Sequence, residues 1–378
     1  MRKSVIALTA GAVVCAAVAG VIRFKMVPDA ERVQNDQLSV IHYTGTATYL
    51  DQKALAGGDM AHAFAQDVPF TAVDTVKLAS MHGNTAVLTD DMKIDGAGGV
   101  LGNPHAVWAV DRKTLMPAPA PAGSGAIDHQ GLALGFAFGP GKHDYPWWDG
   151  ATATQTTATY TGTEKHAGRT TYKYAVDVQG ELKDPGTLAS LPPGIPVGVL
   201  KALAQQIAPD QVQMLGLALG KVSDDTVVPL SYTTKTQTTM WVDSTDGTTL
   251  DAHNEQIITP QIKTKLGMAP LPANVLDVKT AMSPQGIADA VKQAKHHESQ
   301  LLWEGTVAPA ALAVLAVLLL GGAVWAGRRR SAPAGGAAGA GGTDSADSAG
   351  SAGSAGSAGG AGDKAEPEAA AGAAGTED

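Results

Sequence analysis

Cysteine and aromatic residues are scarce in this sequence. The 378 residues include a single cysteine, Cys15, and Phe, Trp and Tyr together make up 5% of the chain. Because one cysteine cannot form an intramolecular disulfide, any folded domain has to be held together by its buried core. Val14 precedes Cys15 where a lipoprotein attachment site needs a small residue, so lipidation is not expected. The scarcity of aromatic residues also argues against a transmembrane β-barrel, which carries aromatic girdles at both membrane interfaces.

An excess of positive charge is also lacking. The formal net charge is -9 at pH 7, and the acidic excess lies in residues 26–305. A protein that binds nucleic acid through its phosphates carries a basic patch or stripe. A nucleic-acid partner is therefore not expected.

Uncharged apolar stretches long enough to cross a bilayer lie near the two ends of the chain. Residues 4–22 and residues 307–326 carry no charge, and as helices each reaches the ~30 Å thickness of the bilayer's hydrocarbon core. Three arginines at 328–330 follow the second stretch, so the positive-inside rule places that end in the cytoplasm. Two spans then place the N-terminus in the cytoplasm as well, and the region between them outside it.

We therefore predict a double-spanning protein of the cell membrane, with the lipid bilayer as its partner. Its parts are an N-terminal transmembrane helix in 1–25, an extracytoplasmic domain in 26–305, a second transmembrane helix in 306–327 and a cytoplasmic tail in 328–378. The tail is rich in Ala, Gly and Ser and is predicted to be disordered, because it has almost nothing to bury. The alternative for the first stretch is a cleaved signal peptide, but its apolar run continues past the candidate cleavage site at 17–19, which favours a retained anchor.

The central region has the pattern of an antiparallel β domain. Thr, Val and Tyr alternate with small residues, and Gly, Pro and Asp mark the breaks. Gly83-Asn84 and Asp246-Gly247 have the composition of hairpin turns. The predicted strands are 38–49, 75–81, 85–94, 106–112, 152–161, 170–179, 231–242 and 249–258.

Two segments of this region have helical spacing instead. Residues 196–219 form a broken amphipathic stretch, and 283–303 begins with Ser283 as a helix cap and Pro284 at the first helical position. The predicted class is α+β, with a predominantly antiparallel extracytoplasmic domain between two transmembrane helices. The domain is either one curved sheet or two similar halves, since HYTGTATY at 42–49 and TYTGTEKH at 159–166 are alike.

Three segments carry a resemblance to a known family. VWAVDRKTLMP, HQGLALGFAFGPGKHDYPWWD and TYTGTEKHAGRTTYKY resemble an actinobacterial family of uncharacterised membrane proteins, some members of which are labelled porin PorA. The resemblance covers about residues 1–330 and is most specific at 129–149 and 108–115. It implies the same layout of two helices and supplies no catalytic residues. The label implies a channel, which two helices cannot enclose without oligomerisation.

One loop is a candidate binding site. His143, Tyr145, Trp147 and Trp148 offer aromatic faces with polar tips, which suit a sugar or a lipid headgroup. The alternative is an ordered loop that folds its tryptophans over the edge of the sheet.

No motif for catalysis, metal or cofactor binding is complete. The glycine-rich segment 139–142 lacks phosphate-loop spacing, 296–298 is not a zinc-binding His-Glu-x-x-His, and no Gly-x-Ser-x-Gly elbow occurs. We expect neither an enzyme nor a cofactor. The favoured function is a membrane-anchored module that binds an apolar or envelope ligand, such as a lipid, or a protein partner; an apolar ligand would require a deep apolar tunnel. The alternatives are a structural scaffold of the cell envelope and a porin or channel component.

Overall fold

The fold was analysed in a computed structural model of the chain. The structure describes residues 2–36, 38–97, 99–207, 222–264, 267–271 and 273–328. The predicted tail beyond Arg328 and the part of the predicted helix from 208 to 219 lie outside the described residues.

Helices lie at both ends of the chain and between strands. The N-terminal helix passes through a π-helical turn, Ile22–Met26, and a second π-helical turn, Trp303–Val307, lies near the C-terminal end. A 3-10 turn spans Met60–His62. The α-helices are α1 (Arg2–Val21), α2 (Val27–Ala30), α3 (Gln52–Ala56), α4 (Pro185–Ser190), α5 (Val197–Ile207), α6 (Pro284–Leu302) and α7 (Ala308–Arg328).

The described strands form one large antiparallel sheet. Their bounds are β1 (Leu38–Leu50), β2 (Phe64–His82), β3 (Thr85–Gly96), β4 (Gly99–Gly102), β5 (His105–Asp111), β6 (Tyr145–Asp149), β7 (Thr154–His166), β8 (Arg169–Glu181), β9 (Gly194–Pro196), β10 (Val227–Asp243), β11 (Thr249–Thr264), β12 (Gly267–Pro270) and β13 (Leu276–Met282). The order across the sheet is β4-β3-β2-β1-β13-β11-β10-β8-β7-β6, with β5 on β3, β9 on β10 and β12 on β11. The α+β class and the antiparallel sheet are confirmed.

Each of the eight predicted strands corresponds to an observed one. The structure adds β4, β6, β9, β12 and β13. The first four have three to five residues each, too few for alternation to reveal them, whereas β13 spans seven residues and was not predicted. Both predicted hairpin turns join paired strands, since His82 lies opposite Thr85 and Trp241 opposite Asp251. At the second turn a glycine is required, because Gly247 has φ +80° and a Cβ there would lie 2.3 Å from the carbonyl oxygen of Ala137.

The core forms where every second side chain of a strand packs against a loop or helix that covers the sheet. On β8 and β10, Tyr174, Val176, Met240 and Val242 are buried against the segment that contains Phe136. The intervening side chains of the same strands point to the opposite face, as the two-residue period of a strand requires. At another end of the sheet, α5 packs Leu200 and Leu203 against Ile262 of β11.

Helix α6 links the sheet to the C-terminal apolar helix. The Ser283 side chain caps α6 by accepting a hydrogen bond of 3.0 Å from the backbone N–H of Gly286, as its sequence position predicts. Ala290 and Ala294 are buried against Leu250 and Met282, and small side chains let the helix lie close to the sheet. The continuous helical segment Pro284–Ala326 contains a stretch that is long and apolar enough to cross a membrane. The segment Ile6–Ala30 is the other candidate span among the described residues.

Helices α1 and α7 pack against each other in opposite directions. A Cβ at Gly11 would lie 3.3 Å from Leu319, and a Cβ at Gly322 would lie 3.8 Å from Leu8. The contact is made by small residues, since Ala316 is buried while larger apolar side chains on both helices are exposed. Such a helix pair, with an apolar outer surface, is suited to a bilayer.

Candidate functional site

An open trough crosses the middle of the sheet. It has a volume of about 710 Å³ and is lined by three consecutive residues from each of five adjacent strands, β1, β13, β11, β10 and β8. The lining ranges are 44–46, 279–281, 253–255, 237–239 and 175–177. The trough therefore runs across the strands instead of along them.

The strand register builds one polar row along the trough. Thr46 lies opposite Lys279, Lys279 opposite Glu255, Glu255 opposite Gln237, and Gln237 opposite Asp177. The amide of Gln237 donates a hydrogen bond of 3.0 Å to Asp177 Oδ2, and Lys279 Nζ lies 3.7 Å from Glu255 Oε1. Side chains directly opposite each other in an antiparallel pair share a face, so these groups line up on one face.

A second row lies two residues further along the same strands. It consists of Thr44, Ala281, His253, Thr239 and Ala175, which are again paired in register. Thr44 and His253 are exposed, as are three members of the first row. The two rows thus present hydroxyl, imidazole, amide and ionic groups to solvent.

A cluster around Trp241 adjoins the second row. The Trp241 ring is stacked on His166 with 4.8 Å between ring centroids, and His253 contacts its edge at 5.0 Å. Lys173 Nζ lies 5.0 Å from the centroid of the same ring, a cation–π contact. The indole N–H donates to Glu164. These polar neighbours leave Trp241 only 8% exposed on an otherwise hydrophilic face.

A buried carboxylate organises the two histidines of this cluster. Asp251 is 4% exposed, and its Oδ2 lies 2.9 Å from His166 Nε2 and 3.6 Å from His253 Nε2. Its Oδ1 has no hydrogen-bond partner among the described residues. His253 therefore belongs both to the trough and to the Trp241 cluster.

The turns at this end of the sheet are tied to α6. Arg169 donates to Asp243 at the end of β10 and, at 2.8 Å, to Glu298 of α6. His297 Nδ1 lies 2.9 Å from Asp246 Oδ2. Burial opposes ionisation of Asp246, but the hydrogen bonds from His297 and Thr248 outweigh it, so the pKa of this carboxyl lies below its usual value.

The four site residues predicted from the sequence lie at β6 and just before it. Tyr145 and Trp147 pack against Phe136 in the core, and Trp148 packs against a neighbouring cluster with Trp108. His143 is exposed and stacks on Tyr145 at 4.3 Å. The structure thus brings His143, Tyr145 and Trp147 together and turns Trp148 to a different cluster. Ligand binding at these residues stays a prediction.

One apolar cavity, beneath α5, is small. A cavity of about 30 Å³ lies between α5 and the sheet, walled by residues such as Leu200, Leu203 and Leu230. Its volume is about that of one water molecule in the liquid. It is not the deep tunnel that an apolar ligand would require.

Two carboxyl groups share the other, partly apolar face of the sheet. Asp74 of β2 lies opposite Ile41 and Met92, and Asp90 lies opposite Val76. Burial raises the pKa of Asp74 to about 8, and the charge of Asp90 adds to the increase. Burial, and to a smaller extent the same two carboxyl groups, raise the pKa of Tyr43. Among the described residues, no group of three or more His, Cys, Asp or Glu is arranged to hold a metal ion.

Sequence reasoning missed the trough and the Trp241 cluster. Trp241 lies two residues before the end of β10, close to the Asp246-Gly247 turn, and an isolated tryptophan at that place is the only local signal that could have pointed to the cluster. The partners of Trp241 are contributed by β7, β8 and β11. Their proximity depends on strand pairing, which local sequence patterns do not contain.

Comparison with solved structures gives only remote similarity. A mutant of the Rh. blastica porin is 8% identical, with 65% of this chain and 99% of that chain covered and a TM-score of 0.15. An acyl-CoA thioesterase II, TesB2, from Mycobacterium marinum is 12% identical, with 65% and 80% covered and a TM-score of 0.12. Similarities this low carry no argument about the fold or the function. No curated protein matches the chain.

The comparison with protein families is decisive. The family described as Porin PorA matches residues 4–325, which include both apolar helices and the whole sheet. This is the family that the three sequence segments resemble. The chain belongs to the Porin PorA family.

Proposed function

We propose that this protein is a membrane-anchored, extracytoplasmic module that binds a component of the cell envelope in the trough. Helices α1 and α7 anchor it, and the arginines from 328 onward hold both chain ends in the cytoplasm. The sheet then lies on the outer side of the membrane, where envelope components are found.

The observation that carries this proposal is the trough itself. Its two rows expose groups that donate and accept hydrogen bonds, and its volume of about 710 Å³ lies within the range of small-molecule sites. The apolar cavity beneath α5 has a volume of only about 30 Å³. The trough is therefore favoured over that cavity as the place where a ligand binds.

Mass spectrometry of the full-length protein tests the proposal. The protein is extracted from its membrane in a mild detergent, as wild type, as Gln237→Ala and as Gln179→Ala. Gln237 lines the trough, whereas Gln179 is exposed on the same sheet two residues beyond the lining of β8. We expect an envelope component to copurify with the wild type and with Gln179→Ala, and to be depleted from Gln237→Ala.

Two results would remove the proposal. One is that no envelope component copurifies with the wild type, or that the Gln237→Ala variant retains it fully. The other is that a protease added outside intact cells leaves the sheet domain uncut while it degrades a known external protein and cuts the domain in lysed cells. That result would place the domain in the cytosol.

A further inference from the structure

We infer that the ligand of the trough is a neutral, extended oligosaccharide that lies across the five strands. This inference rests on the proposed function and names the chemical class of the ligand. It follows from the positions of the strands, from the side chains that line the trough and from their charge.

Strand pairing argues that side chains, not backbone groups, bind the ligand. Each of the five strands has a hydrogen-bonded neighbour on both sides: β1 lies between β2 and β13, and β8 lies between β7 and β10. Backbone N–H and C=O groups of such interior strands are already paired in the ladders. A peptide that binds by adding a strand needs a free sheet edge, and the trough offers none.

The lining side chains match the hydroxyl groups of a sugar. The hydroxyls of Thr44, Thr46 and Thr239 and the amide of Gln237 each donate and accept hydrogen bonds. Sugar hydroxyls have the same dual capacity. Val176 is the one branched aliphatic residue of the lining, and it is 3% exposed. An acyl chain would therefore cover polar groups without pairing them, which is unfavourable.

The charges of the trough disfavour an anionic chain. Glu255 is paired with Lys279, whereas Asp177 accepts its hydrogen bond within the lining from the neutral amide of Gln237. This leaves one carboxylate without a compensating cation in the lining, in a chain that is itself acidic. A ligand that carries carboxylates or phosphates would meet like charge there.

The width of the trough predicts the length of the ligand. Five adjacent strands are separated by four steps of about 4.8 Å, so the lining extends for roughly 19 Å. A single sugar ring would contact only one or two strands. We therefore expect affinity to increase with chain length until the oligosaccharide spans the trough.

Calorimetric titration of the full-length protein in phospholipid nanodiscs tests this inference. The neutral probes are mannohexaose, chitohexaose and their disaccharides, the anionic probe is hexagalacturonate, and a Gly/Ser dodecapeptide and lauric acid represent the other classes. We expect at least one neutral hexasaccharide to bind more tightly than its disaccharide. Gln237→Ala should weaken that binding about tenfold, the effect of losing one well-made hydrogen bond. Gln179→Ala should bind as the wild type does.

The outcomes separate this inference from the proposed function. If lauric acid, hexagalacturonate or the peptide binds in a Gln237-dependent way and no neutral saccharide does, the saccharide class is wrong while the trough remains the binding site. If neither neutral hexasaccharide binds, or if Gln237→Ala leaves its binding unchanged, the inference is overturned. The thermal unfolding of each variant, followed by circular dichroism, establishes that the sheet is intact.

Discussion

The buried carboxyl of Asp74 should make the stability of the sheet depend on pH. Its Oδ1 is buried without a hydrogen-bond partner among the described residues, and its pKa is raised from 3.8 to about 8 by burial and by Asp90. In the folded protein the group is therefore protonated over a range in which the unfolded chain has lost the proton. The protonated Asp74 carboxyl therefore stabilises the folded protein. This stabilisation is complete below about pH 4 and is lost as the pH rises through about 8.

The magnitude follows from the difference in pKa. Each pH unit between these limits costs roughly 1 kcal/mol of unfolding free energy, so about 2–3 kcal/mol is lost between pH 5 and pH 7. The Asp74→Asn variant keeps a neutral side chain of similar shape and has no proton to lose. Its stability relative to wild type should therefore increase by about 2–3 kcal/mol over the same two pH units.

Urea unfolding of the detergent-solubilised protein, followed by tryptophan fluorescence at pH 5 and pH 7, measures this difference. Asp95→Asn is the matched control, because Asp95 is 36% exposed on β3 and is paired with Lys93. It should keep the pH dependence of the wild type, whereas Asp90→Asn should reduce that dependence in part. A stability difference between Asp74→Asn and wild type that is the same at both pH values would refute the reasoning.

Four further predictions concern the fold and its membrane anchor. Gly286→Ala should destabilise the protein by about 1–3 kcal/mol, because the added Cβ would lie 2.5 Å from the carbonyl oxygen of His42. Thermal unfolding measures this loss, and an unchanged melting temperature would contradict the close approach. Asp246→Asn should lower the free energy of unfolding at neutral pH and change it little at acidic pH. The pKa of Asp246 is lowered by folding, so its carboxylate stabilises the protein above the unfolded pKa, and this stabilisation is lost as the pH falls through the folded pKa. Urea titrations at two pH values measure the loss, and an equal loss at both would contradict the prediction. Ala316→Leu should separate α1 from α7, because Ala316 is buried in their contact. A drop in cross-linking between cysteines placed at 8 and 322 measures the separation, and Val317→Leu on the exposed surface is the control. Full cross-linking of Ala316→Leu would mean that the small-residue contact is not required. Planar-bilayer recordings on the pure protein should show no conductance, because two antiparallel helices enclose no pore, and reproducible channels would favour the alternative of a porin component.

The strands were predictable wherever alternation runs without interruption. The predicted strand 85–94 lies within β3, and the Ser283 cap begins α6 as predicted, because both signals are local and involve residues within a few positions of each other. β13 was not predicted, although it joins the two parts of the sheet by pairing with both β1 and β11. Its partner β1 is more than 200 positions away, and no local pattern specifies such a pairing.

The candidate loop illustrates the same limit at the level of function. The side chains of Tyr145 and Trp147 attracted attention as aromatic groups near polar ones, yet both also pack against Phe136 in the core. Sequence alone does not distinguish an aromatic residue that faces solvent from one that faces the core. The groups that line the trough, such as Gln237 and Thr46, are ordinary strand residues when each is viewed separately.

The two apolar helices, the antiparallel character of the domain between them and the family could all be predicted from the sequence. These properties depend on hydrophobic content and on periods of two or four residues, which can be read along the chain. Two features depend on the folded chain instead. Five strands place polar residues in register across one trough, and Trp241 stacks on His166, which lies 75 positions earlier in the chain. Register and strand order arise from long-range pairing, and a shift of one residue would have turned these side chains to the opposite face.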